Sequence, residues 1–320
     1  MRMNDMDKYT KELLDLLKNK YAEVCGERKF QCTSEMRNYY LENLDDNLYR
    51  PMDETSLAAY ANGSGSEVDS GKMNALRSSS ALTYNLFWDQ IAELTNPGNS
   101  GLGAGTYKVE FEKQFHTLKR SVAGNPANLD AFLVCGKTNE AIACEMKMME
   151  WIFNRPGELK AKYLDEKNYI DEEAGKVFVS AAKELIRTED YEDPETERTS
   201  YPSITTRYDA FQMFKHSVAC YTAIVAEEPR KIEKLTLVNC AWTLSNPALL
   251  SEKSRERYLR EERIELEEFE IFKSTMEPVK ALFKAKGVDF NIRFFKFNEF
   301  LALFEKTEEE IEYLGRYTLY

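Results

Sequence analysis

Histidine is almost missing from this chain: there are two in 320 residues, His116 and His216. The six cysteines are scattered and form no C-x-x-C pair. Together these shortages argue against a structural zinc site and read as reduced, mostly buried thiols, not a disulfide framework. Long hydrophobic runs are lacking too. No stretch approaches the roughly 18–20 apolar residues that cross a bilayer. The opening MRMNDMDKYTKELL has no apolar core of a secretory signal. The expectation is a cytoplasmic protein with no membrane partner. Positive charge is in deficit, 43 Lys and Arg against 55 Asp and Glu, for a net charge of -12. Such a balance argues against broad electrostatic capture of a polyanion, although a small basic groove can coexist with an acidic exterior.

What is present concentrates in residues 125–150, NPANLDAFLVCGKTNEAIACEMKMME. Two short apolar runs flank Gly-Lys-Thr-Asn-Glu, which is turn chemistry, so the stretch reads as a β-hairpin. Side chains alternate along a strand. On the second strand Glu145 and Lys147 therefore share a face with Ala141 and Ala143, while Ile142, Cys144, Met146 and Met148 take the other. On the first strand Asp130 stands among Leu129, Ala131 and Phe132, where an unpaired carboxylate is costly. Two acids and a lysine occupy positions that a plain core fills with aliphatics.

Two readings of that set follow. Carboxylates on neighbouring strands can hold one hard divalent cation, Mg²⁺ or Mn²⁺, through oxygen ligands. The ion lowers the pKa of bound water and stabilises charge on a phosphoryl oxygen; the lysine orients water or neutralises the transition state. Alternatively, Lys147 forms a structural ion pair with Glu145 or Asp130.

Asp130 followed by Glu145-Met146-Lys147 resembles the core signature of the PD-(D/E)XK nuclease superfamily, the restriction-endonuclease-like fold. The residue before Asp130 is Leu129 and the nearest proline is Pro126, so the proline of the motif is not matched. The likeness extends to GSGSE at 63–67, SSSAL-x-x-N-x-F at 78–87 and Gln-Met-Phe-Lys-His at 212–216, within about 63–244. It implies Asp130 and Glu145 as metal ligands, Lys147 as the residue that positions or activates water, and Glu67 as a further acidic ligand from upstream. It also implies a polar helix beside the Glu-x-Lys strand, bringing Gln212, Lys215 and His216 to the cleft.

Residues 1–24 and 34–48 read as helices of an N-terminal extension (1–60), ahead of a nuclease domain (61–320). Residues 77–94 read as a helix capped by the serines at 78–80. Residues 107–118 alternate as a strand pairing with that of Asp130, from which Glu110 or Glu112 could reach the ion. Residues 151–157 read as an exit loop or cleft wall, with Arg155, Lys160 and Lys162 available for phosphate contact; 189–200 is a charged surface loop. Residues 172–187 and 207–226 read as helices, 235–244 and 289–297 as strands. Residues 251–286 read as a long charged helix or helical pair with a solvated face. The order implies an α/β fold, a restriction-endonuclease-like mixed sheet flanked by helices. The expected function is metal-dependent phosphodiester hydrolysis of DNA, with DNA as substrate and a homodimer or partner subunit as a further possibility. The alternatives are a catalytically inactive nucleic-acid-binding module and an interaction protein.

Overall fold

The hairpin forms the middle of a six-stranded mixed sheet in the computed structural model, which describes residues 6–63, 67–122, 124, 126–153, 156–187, 199–226 and 232–319. Helices α1 (Lys8–Cys25), α2 (Glu54–Asn62) and α3 (Ser79–Leu86) precede strands β1 (Ile91–Leu94), β2 (Gly105–Phe115), β3 (Ala127–Cys135) and β4 (Glu140–Lys147). These four strands form an antiparallel meander. The short helix α4 (Glu150–Phe153), the two-residue strands β5 (Leu159–Lys160) and β6 (Ser200–Tyr201), and helices α5 (Glu172–Glu184) and α6 (Ala210–Cys220) cross over to β7 (Lys234–Ala241). Helices α7 (Glu252–Thr275) and α8 (Glu277–Ala285) then cross to β8 (Asp289–Lys296), and α9 (Phe297–Leu301) and α10 (Glu308–Leu314) close the chain. The sheet order is β1-β2-β3-β4-β7-β8, with β4, β7 and β8 parallel. Parallel neighbours need long connections, which is where the intervening helices go.

The alternation read from β4 separates two cores. Ile142, Cys144, Met146 and Met148 pack with Leu13 and Leu17 of α1 and Leu82 and Leu86 of α3. Ala141 and Ala143 face Phe178 of α5, Phe211 and Phe214 of α6, and Phe283 of α8. Helix α6 crosses this face, from which its Gln212 and His216 side chains reach Glu145.

Several expectations need correction. Residues 34–48 are not a helix but two 3-10 turns, Met36–Tyr39 and Asp45–Asn47. Their Asn and Asp side chains compete for backbone groups; the buried Asn47 amide, for example, donates to the carbonyls of Met73 and Ala75. The helix read over 77–94 stops at Leu86, and Ile91–Leu94 is an edge strand paired to β2. Gln90, with φ at 58°, makes the break between them. Of the two readings of 151–157 the exposed exit loop does not hold, since Trp151 and Ile152 are buried in α4, while Trp151 does line a cavity beside Lys147. The face of α7 is not wholly solvated, because Glu261, Glu265 and Glu268 are buried. Arg155 and most of the 189–200 loop lie outside the described residues, as do the central residues 64–66 of the GSGSE motif.

Candidate active site

Register aligns the acids. Phe111 pairs with Ala131 and Lys113 with Leu129, so Glu112 stands opposite Asp130. Ala131 pairs with Cys144, so Asp130 stands opposite Glu145, and Glu145 itself pairs with Asn239 on β7. Cross-strand neighbours share a face. Glu112, Asp130, Glu145 and Asn239 therefore form one polar row across β2, β3, β4 and β7. At Glu112 the strand is distorted: its φ is 49°, a left-handed conformation that a non-glycine residue rarely adopts inside a strand.

Glu145 is the hub, only 3 % exposed. Its Oε1 accepts from Lys147 Nζ at 2.7 Å and from Gln212 Nε2 at 2.7 Å, and its Oε2 is 2.8 Å from His216 Nε2. Lys147 Nζ also donates to Gln212 Oε1 at 2.7 Å. The ammonium only donates and the carboxylate only accepts when ionised, which fixes the orientation of the Gln212 amide between them. By the same logic His216 Nε2 carries the proton. Its Nδ1 is buried without a partner among the described residues. Helix α6 brings Gln212 and His216 to one face by their four-residue spacing, and Asp209 caps its first turn by accepting from the Gln212 backbone N–H at 3.0 Å.

The charges within the row differ. Burial works to raise the Glu145 pKa, but the Lys147 charge, the His216 hydrogen bond and charge, and the Lys147 hydrogen bond outweigh it and hold Glu145 at about 2. Asp130 is driven well above the usual carboxylate range, first by burial and then by the Glu145 and Glu112 charges. Its Oδ2 accepts from the Met146 backbone N–H at 2.6 Å. Glu112 is pushed up to about 7 by burial, against the hydrogen bond from Asn128, with Glu145 and Glu67 adding repulsion. Lys147 is raised: burial opposes its charge, yet Glu145, Glu150, Asp130 and Asp209 together prevail.

The predicted residues divide accordingly. Asp130, Glu145, Lys147, Gln212 and His216 gather in one neighbourhood, and Glu112, not Glu110, completes the row; Glu110 pairs with Lys113 at 2.7 Å. Glu67 lies within electrostatic reach of Glu112 and is paired with Lys72 at 3.4 Å. The C-terminus of α2 delivers this edge of the site: Gly63 passes so close to Glu112 that a Cβ there would collide with the Glu112 carboxylate. Lys160, Lys162 and Lys215 line a groove of about 360 Å³ that is also walled by Asn128, Gln212 and His216. Asn239 was missed, although an Asn inside the apolar run Leu-Thr-Leu-Val-Asn-Cys-Ala-Trp was a signal of the same kind as Asp130. Glu265 was missed because one glutamate in a charged helix is not distinguishable without its neighbours. Among the described residues, no group of three or more His, Cys, Asp and Glu side chains closes around a common metal position.

Family models, curated proteins and solved structures provide no match to this chain.

Proposed function

We propose that this protein is a divalent-metal-dependent phosphodiesterase acting on DNA, with a restriction-endonuclease-like sheet. The observation that carries this reading is the row Glu112, Asp130 and Glu145 across three paired strands, with Lys147 held beside it and a lysine-lined groove alongside. The donor set fits Mg²⁺ or Mn²⁺ in chemistry, since carboxylate oxygens are hard ligands. Burial first, and then repulsion within the row, keeps Asp130 and Glu112 above the ordinary carboxylate range, and a cation among them relieves that repulsion. Asp130 and Glu112 would hold the ion, Glu67 would add an outer carboxylate, and Glu145 would join by exchanging one of its present partners. An ion bound there supplies Lewis-acid stabilisation and lowers the pKa of water.

The chain's own groups do the rest. Lys147, kept charged by the acids around it, neutralises charge on a phosphoryl oxygen and orients water; it acts as a cation, not as a base. Gln212 and His216 position Lys147 and Glu145 through the hydrogen bonds above. Lys160, Lys162 and Lys215 hold adjoining phosphates, which sets register along the strand without reading sequence.

A specific observation favours a second reading, an interaction protein that uses Glu145 and Lys147 structurally. Glu145 has partners on both oxygens, and no three metal-ligating side chains converge among the described residues. Cleavage assays on supercoiled, linear and single-stranded DNA with Mg²⁺ or Mn²⁺ separate the two. Metal-dependent cleavage that Asp130→Ala abolishes supports hydrolysis. No cleavage and no metal binding by folded wild-type protein would leave the interaction reading.

A further inference from the structure

A second cavity, of about 160 Å³, shares Lys147 and Gln212 with the site but none of the groove lysines. Two of its polar lining residues are deeply buried: Asn239 is 3 % exposed and Glu265 is 2 % exposed. Even so, Asn239 Nδ2 and Glu265 Oε2 have no hydrogen-bond partner among the described residues. Buried polar atoms are rarely left unpaired, because each then forfeits its hydration. The cavity is about ten times the space one water needs, roughly 10–15 Å³, so it has room for a small ring. Its rim residues Glu150, Arg207 and Asp209 are partly exposed, giving it access to solvent.

The chemistry of the walls limits the occupant. Lys147 and Arg207 place two cations there against the carboxylates of Glu150, whose Oε2 is also unpartnered among the described residues, and Asp209, so these four rim charges balance and favour an uncharged occupant over an ion. Glu265 is pushed well above the carboxylate range by burial and then by Glu262 and Glu268. The unpartnered Glu265 Oε2 and the Asn239 amide, which adds a donor, give the cavity a polar edge. Trp151 and Pro156 supply apolar wall. An uncharged, flat heterocycle carrying donors and acceptors on one edge suits this lining, and a nucleobase is such a ring.

We propose that this cavity receives one unstacked nucleobase of the strand whose phosphodiester lies at Lys147. The proposal rests on the phosphodiesterase reading and adds that the substrate is single-stranded there, or has one base turned out of its helix. Turning out a base is easiest where it is unpaired.

The test is an abasic scan. Binding of a short phosphorothioate single strand is measured in Mg²⁺ while one abasic site is moved along it. Wild-type protein should lose about tenfold or more in affinity at one position and little at the others. Asn239→Leu, which fills the space, and Asn239→Ser, which withdraws only the amide, should flatten the scan, with thermal melts checking the fold. If Asn239→Leu does not fold, Asn239→Ser decides. A flat scan with wild-type protein that binds the strand, or an unchanged scan in a folded Asn239 variant, overturns the base pocket and leaves the phosphodiesterase reading standing. Failure of wild-type protein to bind any strand overturns that reading, and the pocket with it.

Discussion

Asp130 and Glu145 are cross-strand neighbours, yet their pKa values move in opposite directions. The difference lies in their partners: Glu145 has Lys147, Gln212 and His216, whereas Asp130 has a backbone N–H and two carboxylate neighbours. Glu145→Ala takes from the mostly buried Lys147 ammonium its ion-pair partner and leaves it only the Gln212 oxygen and more distant acids. It should destabilise the fold by about 3–5 kcal/mol, as breaking a buried ion pair does, measurable by urea denaturation. Glu112 gives a separate pH signature. Its folded pKa of about 7 lies above the ordinary value of 4.5, so the native state binds the extra proton. That contribution is fully present below about pH 4.5 and is lost as pH rises through 7. Without metal, wild-type protein should therefore lose stability between pH 5 and 8, by no more than about 3 kcal/mol from this group. Glu112→Gln should remove that part of the slope in melts recorded across the range. Glu145 works in the other direction, contributing stability above its unfolded pKa that disappears as pH falls toward 2.

At the level of elements, α6 converts strand positions into a site. Asp209→Ala removes its N-cap and should lower stability by about 1 kcal/mol, while loosening the Gln212 amide that joins Lys147 to Glu145. The approach to α6 is pinned from α7. Glu268 accepts from the backbone N–H groups of Thr206, Arg207 and Tyr208 and from the Thr206 hydroxyl. Glu268→Ala should cost roughly 2–4 kcal/mol, since several buried donors lose their acceptor together; a thermal melt reads it. These elements also show what the sequence could convey. The hairpin, its two faces and the Gln212–His216 face were legible because they follow from period-two and four-residue spacings within one segment. The edge strand Ile91–Leu94 was not, since pairing with β2 decides it and its pattern runs on from a helix. Glu261, Glu265 and Glu268 read as solvated charge because nothing local reveals that α7 turns them toward Arg207 and the backbone before α6. The distortion at Glu112 was equally hidden: the alternation of β2 is intact in sequence, and only the backbone shows φ at 49°.

For the molecule as a whole, a net charge of -12 leaves the groove of Lys160, Lys162 and Lys215 as an exception to an acidic balance. Binding of a strand should thus be local and salt-sensitive. Replacing all three lysines by alanine should reduce the slope of log K against log salt by about 2 on single strands, at roughly 0.7 per phosphate contact, as fluorescence anisotropy over a salt series would show. The proposed function requires, however, that the row of acids bind a divalent ion beside Lys147. Calorimetric titration of Mn²⁺ into wild-type, Asp130→Ala and Lys147→Ala protein, each checked for folding, tests it most directly. The account predicts that wild-type protein binds the ion, that Asp130→Ala loses it, and that Lys147→Ala binds as well or better because a neighbouring positive charge is gone, while its cleavage falls by about 10²–10⁴. Folded wild-type protein that takes up no Mn²⁺, with Lys147→Ala changing stability alone, would contradict it.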